Sequence, residues 1–157
     1  MTKREFCKKH GIEVIVDAHL EAVIKNSFAI KLIKYPSKKV QITAVKKDGF
    51  VINNINNPCE EAQLIAVKED GALIKYIKKP TKQVRLIAVK QNGNAIEYVK
   101  SPTEEEQLIA VKQNGYAIRF LNKPSISVMD EAVNQNVDAH KYLSDDWFDV
   151  DVDEEVA

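Results

Sequence analysis

Apolar positions recur along this chain at a fixed period of 22 residues. The pattern is clearest in the copies that begin at Gln63, Arg85 and Gln107, where the first residue is followed by Leu-Ile-Ala-Val-Lys. A copy from Gln41 precedes them, a looser one starts at His19, and a decayed one starts at Met129. Ala22, Ala44, Ala66, Ala88, Ala110 and Ala132 share one column, with Val23, Val45, Val67, Val89, Val111 and Val133 beside it. Gly49, Gly71, Gly93 and Gly115 form another, and Pro36, Pro58, Pro80, Pro102 and Pro124 another again. A long-range period of this kind marks a repeat protein, because one copy cannot bury its own apolar face.

Each copy predicts two short helices. Thr103 and Glu106 make a capping box, and Glu104 and Glu105 suit the positive N-terminal end of a helix. Leu108 and Val111 lie three apart, and Val40, Val84 and Val128 lie four before the alanine column, so one stripe is apolar. Asn114-Gly115 is expected to end the helix, with the glycine in the left-handed conformation. A second helix of about two turns should follow, with Ala117, Ile118 and Leu121 apolar, until Pro124 stops it. Ser37, Thr81, Thr103 and Ser125 read as N-caps, with Cys59 a poor substitute. Helices this short are marginal alone, so stability must come from stacking, and the alanines permit close approach.

The expected fold is therefore all-α, an α-solenoid of six helix-turn-helix repeats near 19–40, 41–62, 63–84, 85–106, 107–128 and 129–144. A leucine-rich repeat competes on Val84, Ile87, Val89 and Asn92. The alanine between its two strand positions favours a helix instead. Residues 1–18 are expected to hold an N-terminal capping helix over 2–11 and a linker or extended piece at Glu13–Asp17.

Charge changes the picture at the other end. The chain has 23 basic and 23 acidic residues. Seven of the acidic ones (Asp145, Asp146, Asp149, Asp151, Asp153, Glu154 and Glu155) lie in residues 145–157, which hold no basic residue. Residues 1–144 thus carry +7 and the acidic tail −7. Trp147 and Phe148 are expected to dock on the last helix pair. Two cysteines make no disulfide framework, and no apolar run is long enough for a membrane span, so a cytoplasmic protein is expected.

The stretch Ala88–Val99, A-V-K-Q-N-G-x-A-I-x-x-V, returns approximately at Ala110–Leu121 and resembles the DUF4116 repeat family, a domain of unknown function in bacteria and phage. The resemblance spans roughly residues 19–143. It implies a short-helix α-helical array, implies no activity, and carries no catalytic residue over. Ser27 and Val137 replace the glycine in the first and last copies, as terminal capping repeats should.

A search for chemistry finds little. Cys7 and His10 have half a zinc-site spacing with no second half. Asp149, Asp151 and Asp153 mimic a calcium loop, but Glu154 stands where glycine is required. No phosphate-cradling motif occurs. No enzyme, metal or cofactor is expected, and the surface is left as the functional feature. The column Phe28, Phe50, Ala72, Asn94, Tyr116, Asp138 varies and opens the second helix. A second column, Leu32, Asn54, Tyr76, Tyr98, Phe120, Tyr142, is largely aromatic. Lys46, Lys68, Lys90 and Lys112 make a ladder at the end of the first helix, where lysine complements the helix dipole or tracks a phosphate backbone. Lys31, Lys75, Arg119 and Lys141 make a partial column interrupted by Glu97. The expected activity is binding of a protein partner through Phe28, Phe50, Asn94 and Tyr116 with the lysine ladder. Nucleic-acid binding through the ladder, with the tail as autoinhibitor, is the alternative.

Overall fold

The computed structural model describes residues 12–147. Every regular element among them is helical, and none is long and apolar enough to cross a membrane. The α-helices are α1 (Ile12–Lys25), α2 (Lys38–Lys47), α3 (Glu60–Glu69), α4 (Lys82–Gln91), α5 (Glu104–Gln113) and α6 (Ile126–Gln135). Six-residue 3₁₀ helices alternate with them: η1 (Ser27–Leu32), η2 (Gly49–Asn54), η3 (Gly71–Tyr76), η4 (Gly93–Tyr98), η5 (Gly115–Phe120) and η6 (Val137–Tyr142). A single turn, η7 (Asp145–Trp147), follows. The absence of strands among the described residues rules out the leucine-rich alternative.

Contacts divide the chain into two compact units, residues 1–91 and 92–157. In the first, α1 to α4 stack each on the next, η1 to η3 do likewise, and each α-helix from α2 onward packs on the 3₁₀ helix of the preceding repeat. In the second, α5 packs on α6, η4 on η5 and η5 on η6 by the same rule. Each unit is thus a stretch of α-solenoid. The alanines from Ala44 to Ala132 and the valines from Val23 to Val111 are fully buried, as their invariance predicts.

The second helices are 3₁₀ rather than α, and the reason is local. An Asn or Asp at positions 26, 48, 70, 92, 114 and 136 ends the first helix and begins the second, with extended backbone. At Asn92 the side chain accepts the N–H of Asn94 at 3.0 Å, and its carbonyl accepts the N–H of Ala95 at 2.8 Å. That first bond already sets the three-residue register, which suits a six-residue run better than an α-helix does. Side chains three apart then eclipse, and Ile52 with Ile55, Ile74 with Ile77, Ile96 with Val99, and Ile118 with Leu121 all point into the core.

Three other expectations are corrected. The glycines do not adopt the left-handed conformation of a helix end: they are the first residues of the 3₁₀ helices, buried and with ordinary φ. Glu13–Asp17 is no linker but part of α1, which runs unbroken through His19. Ser125 does not cap α6 with its side chain; its hydroxyl donates to Glu104 Oε1 at 2.5 Å. Ser37, Thr81 and Thr103 do cap, Thr103 in a full capping box with the buried Glu106, and Cys59 makes no side-chain cap. The helix expected over 2–11 and most of the acidic tail lie outside the described residues. Trp147 is half-buried at the end of η7.

Candidate interaction surface

Neighbouring repeats are held by a bond that recurs in both units. The N–H of each repeat's glycine donates to a side chain at the end of the next first helix. Gly49 meets Glu69 Oε2 at 3.0 Å, Gly71 meets Gln91 Oε1 at 2.6 Å, Gly93 meets Gln113 Oε1 at 2.8 Å, and Gly115 meets Gln135 Oε1 at 2.6 Å. The first repeat lacks the glycine, and the second repeat has lysine at the partner position: Lys47 reaches back to the carbonyls of Ile24 and Lys25. These partners went unread in the sequence, although the Asn or Asp before each glycine was visible in every copy. Their effect is to fix the spacing of the second helices, which carry the candidate surface.

Within each unit the two aromatic columns meet. Phe50 meets Tyr76 edge-on, with centroids 5.5 Å apart at 83°, and Tyr116 meets Tyr142 at 5.8 Å and 90°. The second residue of one 3₁₀ helix therefore packs on the last residue of the next. Phe28 is 47% exposed and Phe50 45%, so half of each ring stays open to solvent. Asn94 is tied back, accepting a bond from Asn114 Nδ2 at 2.9 Å, and the Tyr116 hydroxyl donates to Asp138 Oδ2 at 3.3 Å.

Lys46, Lys68, Lys90 and Lys112 are exposed at the ends of α2 to α5, with Lys112 paired to Glu131 at 3.9 Å. The cations that meet aromatic rings come from the other column: Lys75 lies 4.9 Å from the Tyr76 centroid and Arg119 4.5 Å from that of Phe120. Lys141 lies 5.2 Å from the Tyr116 centroid and 5.4 Å from that of Tyr142. Lys34 sits likewise at 5.3 Å over Tyr35. That last pair borders an open cavity of about 260 Å³ lined by Lys34, Tyr35, Pro36, Gln41, Ile55, Asn56 and Asn57.

The Gln41 amide in this lining is engaged at both ends, donating to the Pro36 carbonyl at 3.0 Å and accepting from the Cys59 N–H at 2.8 Å. Among the described residues no three metal-ligating side chains come together. Arranged this way, the surface can bury half-open rings against a partner and offer ammonium groups beside them. Comparison with known proteins finds no matching family model, curated protein or solved structure.

Proposed function

We propose that this chain is a non-enzymatic helical-repeat module that binds another protein through its second-helix face, with Phe28, Phe50, Asn94 and Tyr116 at the contact. The edge-on aromatic pair in each unit carries this reading, because rings fixed by the next repeat are anchors already ordered before binding. Given the resemblance to a phage-associated repeat family, an inhibitor of, or accessory to, a host protein fits.

Affinity capture from a host-type lysate, with and without nuclease, tests it. A stoichiometric protein should be retained after nuclease, and Phe50→Ala or Tyr116→Ala should weaken it by roughly tenfold or more, the cost of truncating a buried aromatic anchor. Retention indifferent to both changes argues against this face.

A second reading is supported by the lysine ladder: Lys46, Lys68, Lys90 and Lys112 stand exposed at equivalent positions, as a nucleic-acid backbone would require. It expects capture that disappears with nuclease and falls steeply with salt.

A further inference from the structure

Acidic residues are sorted by helix type within the described part of the first unit. The 3₁₀ segments and the loops that follow them, residues 27–36, 49–58 and 71–80, contain Lys31, Lys34, Lys75, Lys78 and Lys79 and not one Asp or Glu. All five lysines are exposed. The acidic residues described in the same unit lie instead in or at the ends of the first helices, Glu60, Glu61 and Glu69 of α3 among them, while α2 and α4 carry only basic residues. The uncompensated lysines are interleaved with exposed apolar groups, Leu32 at 87% and Tyr35 at 82%, beside Phe28 and Phe50. At one end lies the cavity between Tyr35 and the loop at Ile55, Asn56 and Asn57.

We infer that this edge of the first unit docks an extended acidic segment of a partner protein, its carboxylates on Lys31, Lys34, Lys75, Lys78 and Lys79 and an apolar side chain in the Tyr35 cavity. The inference rests on the protein-binding reading above and adds the partner's chemistry. Charge complementarity sets the sign: five cations whose own segments hold no Asp or Glu attract a polyanion, and the nearest acidic cluster, on α3, lies off this edge.

The aromatic geometry sets the class of polyanion. A single-stranded nucleic acid needs open ring faces for its bases. Here Tyr35 is open on the face away from Lys34, but the half-buried Tyr76 carries Lys75 and abuts Phe50 edge-on, so the rings do not offer a row of open platforms. Carboxylates need only the ammonium groups. The Asn56 and Asn57 amides at the cavity suit a peptide backbone, since each offers both a donor and an acceptor.

The test uses the full chain and a fluorescein-labelled twelve-residue peptide, rich in glutamate with two leucines, read by anisotropy. Binding should weaken by about tenfold between roughly 50 and 300 mM salt as the contacts are screened. The triple change Lys34→Glu, Lys75→Glu, Lys79→Glu should weaken it by at least about tenfold, and the same lysines changed to Gln by less. The ladder triple Lys46→Glu, Lys68→Glu, Lys90→Glu, which changes the net charge equally, should weaken it by less than the edge triple does. Circular dichroism melts establish that each variant is folded. Equal losses from both triples, no binding at low salt, or displacement of the peptide by an equimolar thymidine oligonucleotide overturns the inference. A captured partner lost on Phe50→Ala but indifferent to the edge triple removes this inference and leaves the protein-binding reading standing.

Discussion

A Cβ built on Gly93 would lie 2.6 Å from the Ala110 carbonyl oxygen and 2.8 Å from Gln113 Oε1; on Gly115 it would lie 2.5 Å from the Ala132 carbonyl oxygen. Both obstacles include helix backbone of the next repeat, which cannot move without parting the stack. At Gly49 the nearest atoms belong to the Glu69 carboxylate, at 2.6 Å, and to the Leu73 side chain, at 3.2 Å. Side-chain ends can swing aside. Gly93→Ala and Gly115→Ala are therefore expected to cost about 2–3 kcal/mol each, as overpacking against backbone does, and Gly49→Ala about half as much. Urea unfolding of the three variants checks the order; equal costs would mean that the glycines serve the backbone conformation alone. Glu106 is the other instructive residue. It sits at 0% exposure where Val40, Val84 and Val128 stand in other repeats, and its carboxylate accepts the Thr103 N–H at 2.8 Å. A position read as apolar tolerates an acid because the carboxylate can turn back onto its own helix cap.

At the scale of elements, caps decide where each helix begins. Cys59 stands where Ser37, Thr81 and Thr103 accept a backbone N–H, and it makes no such bond. Cys59→Ser is expected to stabilise the chain by about 0.5–1 kcal/mol, raising the thermal midpoint by a few degrees. An unchanged midpoint would show that the α3 terminus is already satisfied by Glu60 and Glu61. The first helices were legible from sequence because caps, alanine column and apolar spacing agreed. The second helices were legible in place but not in type: an apolar pair three apart, such as Ile118 and Leu121, fits an α-helix and a 3₁₀ helix equally. An Asn-Gly pair is equally ambiguous, since the same residues that end one helix open the next. Only the close approach of Gly115 to Ala132 and Gln135 of the next repeat explains the glycine, and no local pattern contains it. The aromatic columns were likewise visible, but that Phe50 meets Tyr76 depends on how far one repeat is displaced along the next.

Over the whole molecule, zero net charge hides two separations. One is along the chain, between residues 1–144 and the acidic residues 145–157. The other lies within the first unit, between first-helix segments that hold its described acidic residues and a second-helix edge that holds none. If the tail competes with anionic ligands for the basic body, a chain ending at residue 144 should elute from a heparin column at higher salt than the full chain. The shift should shrink when the five edge lysines are replaced by glutamine. Co-elution of the two chains would show that the tail takes no part in anion binding.

The glycine bond has a consequence for how such a gene can change. Each of the copies that begin at Gln63, Arg85 and Gln107 brings a donor for the copy after it and an acceptor for the copy before it: Gly71 reaches Gln91, and Glu69 receives Gly49. Unequal recombination that adds or removes one whole 22-residue period among these three copies leaves every joint complete. A gain or loss of any other length breaks one. Variants of this gene that differ in repeat number should therefore differ by whole copies taken from the interior. The first copy, with Ser27 in place of glycine, and the last, with Val137, should stay where they are.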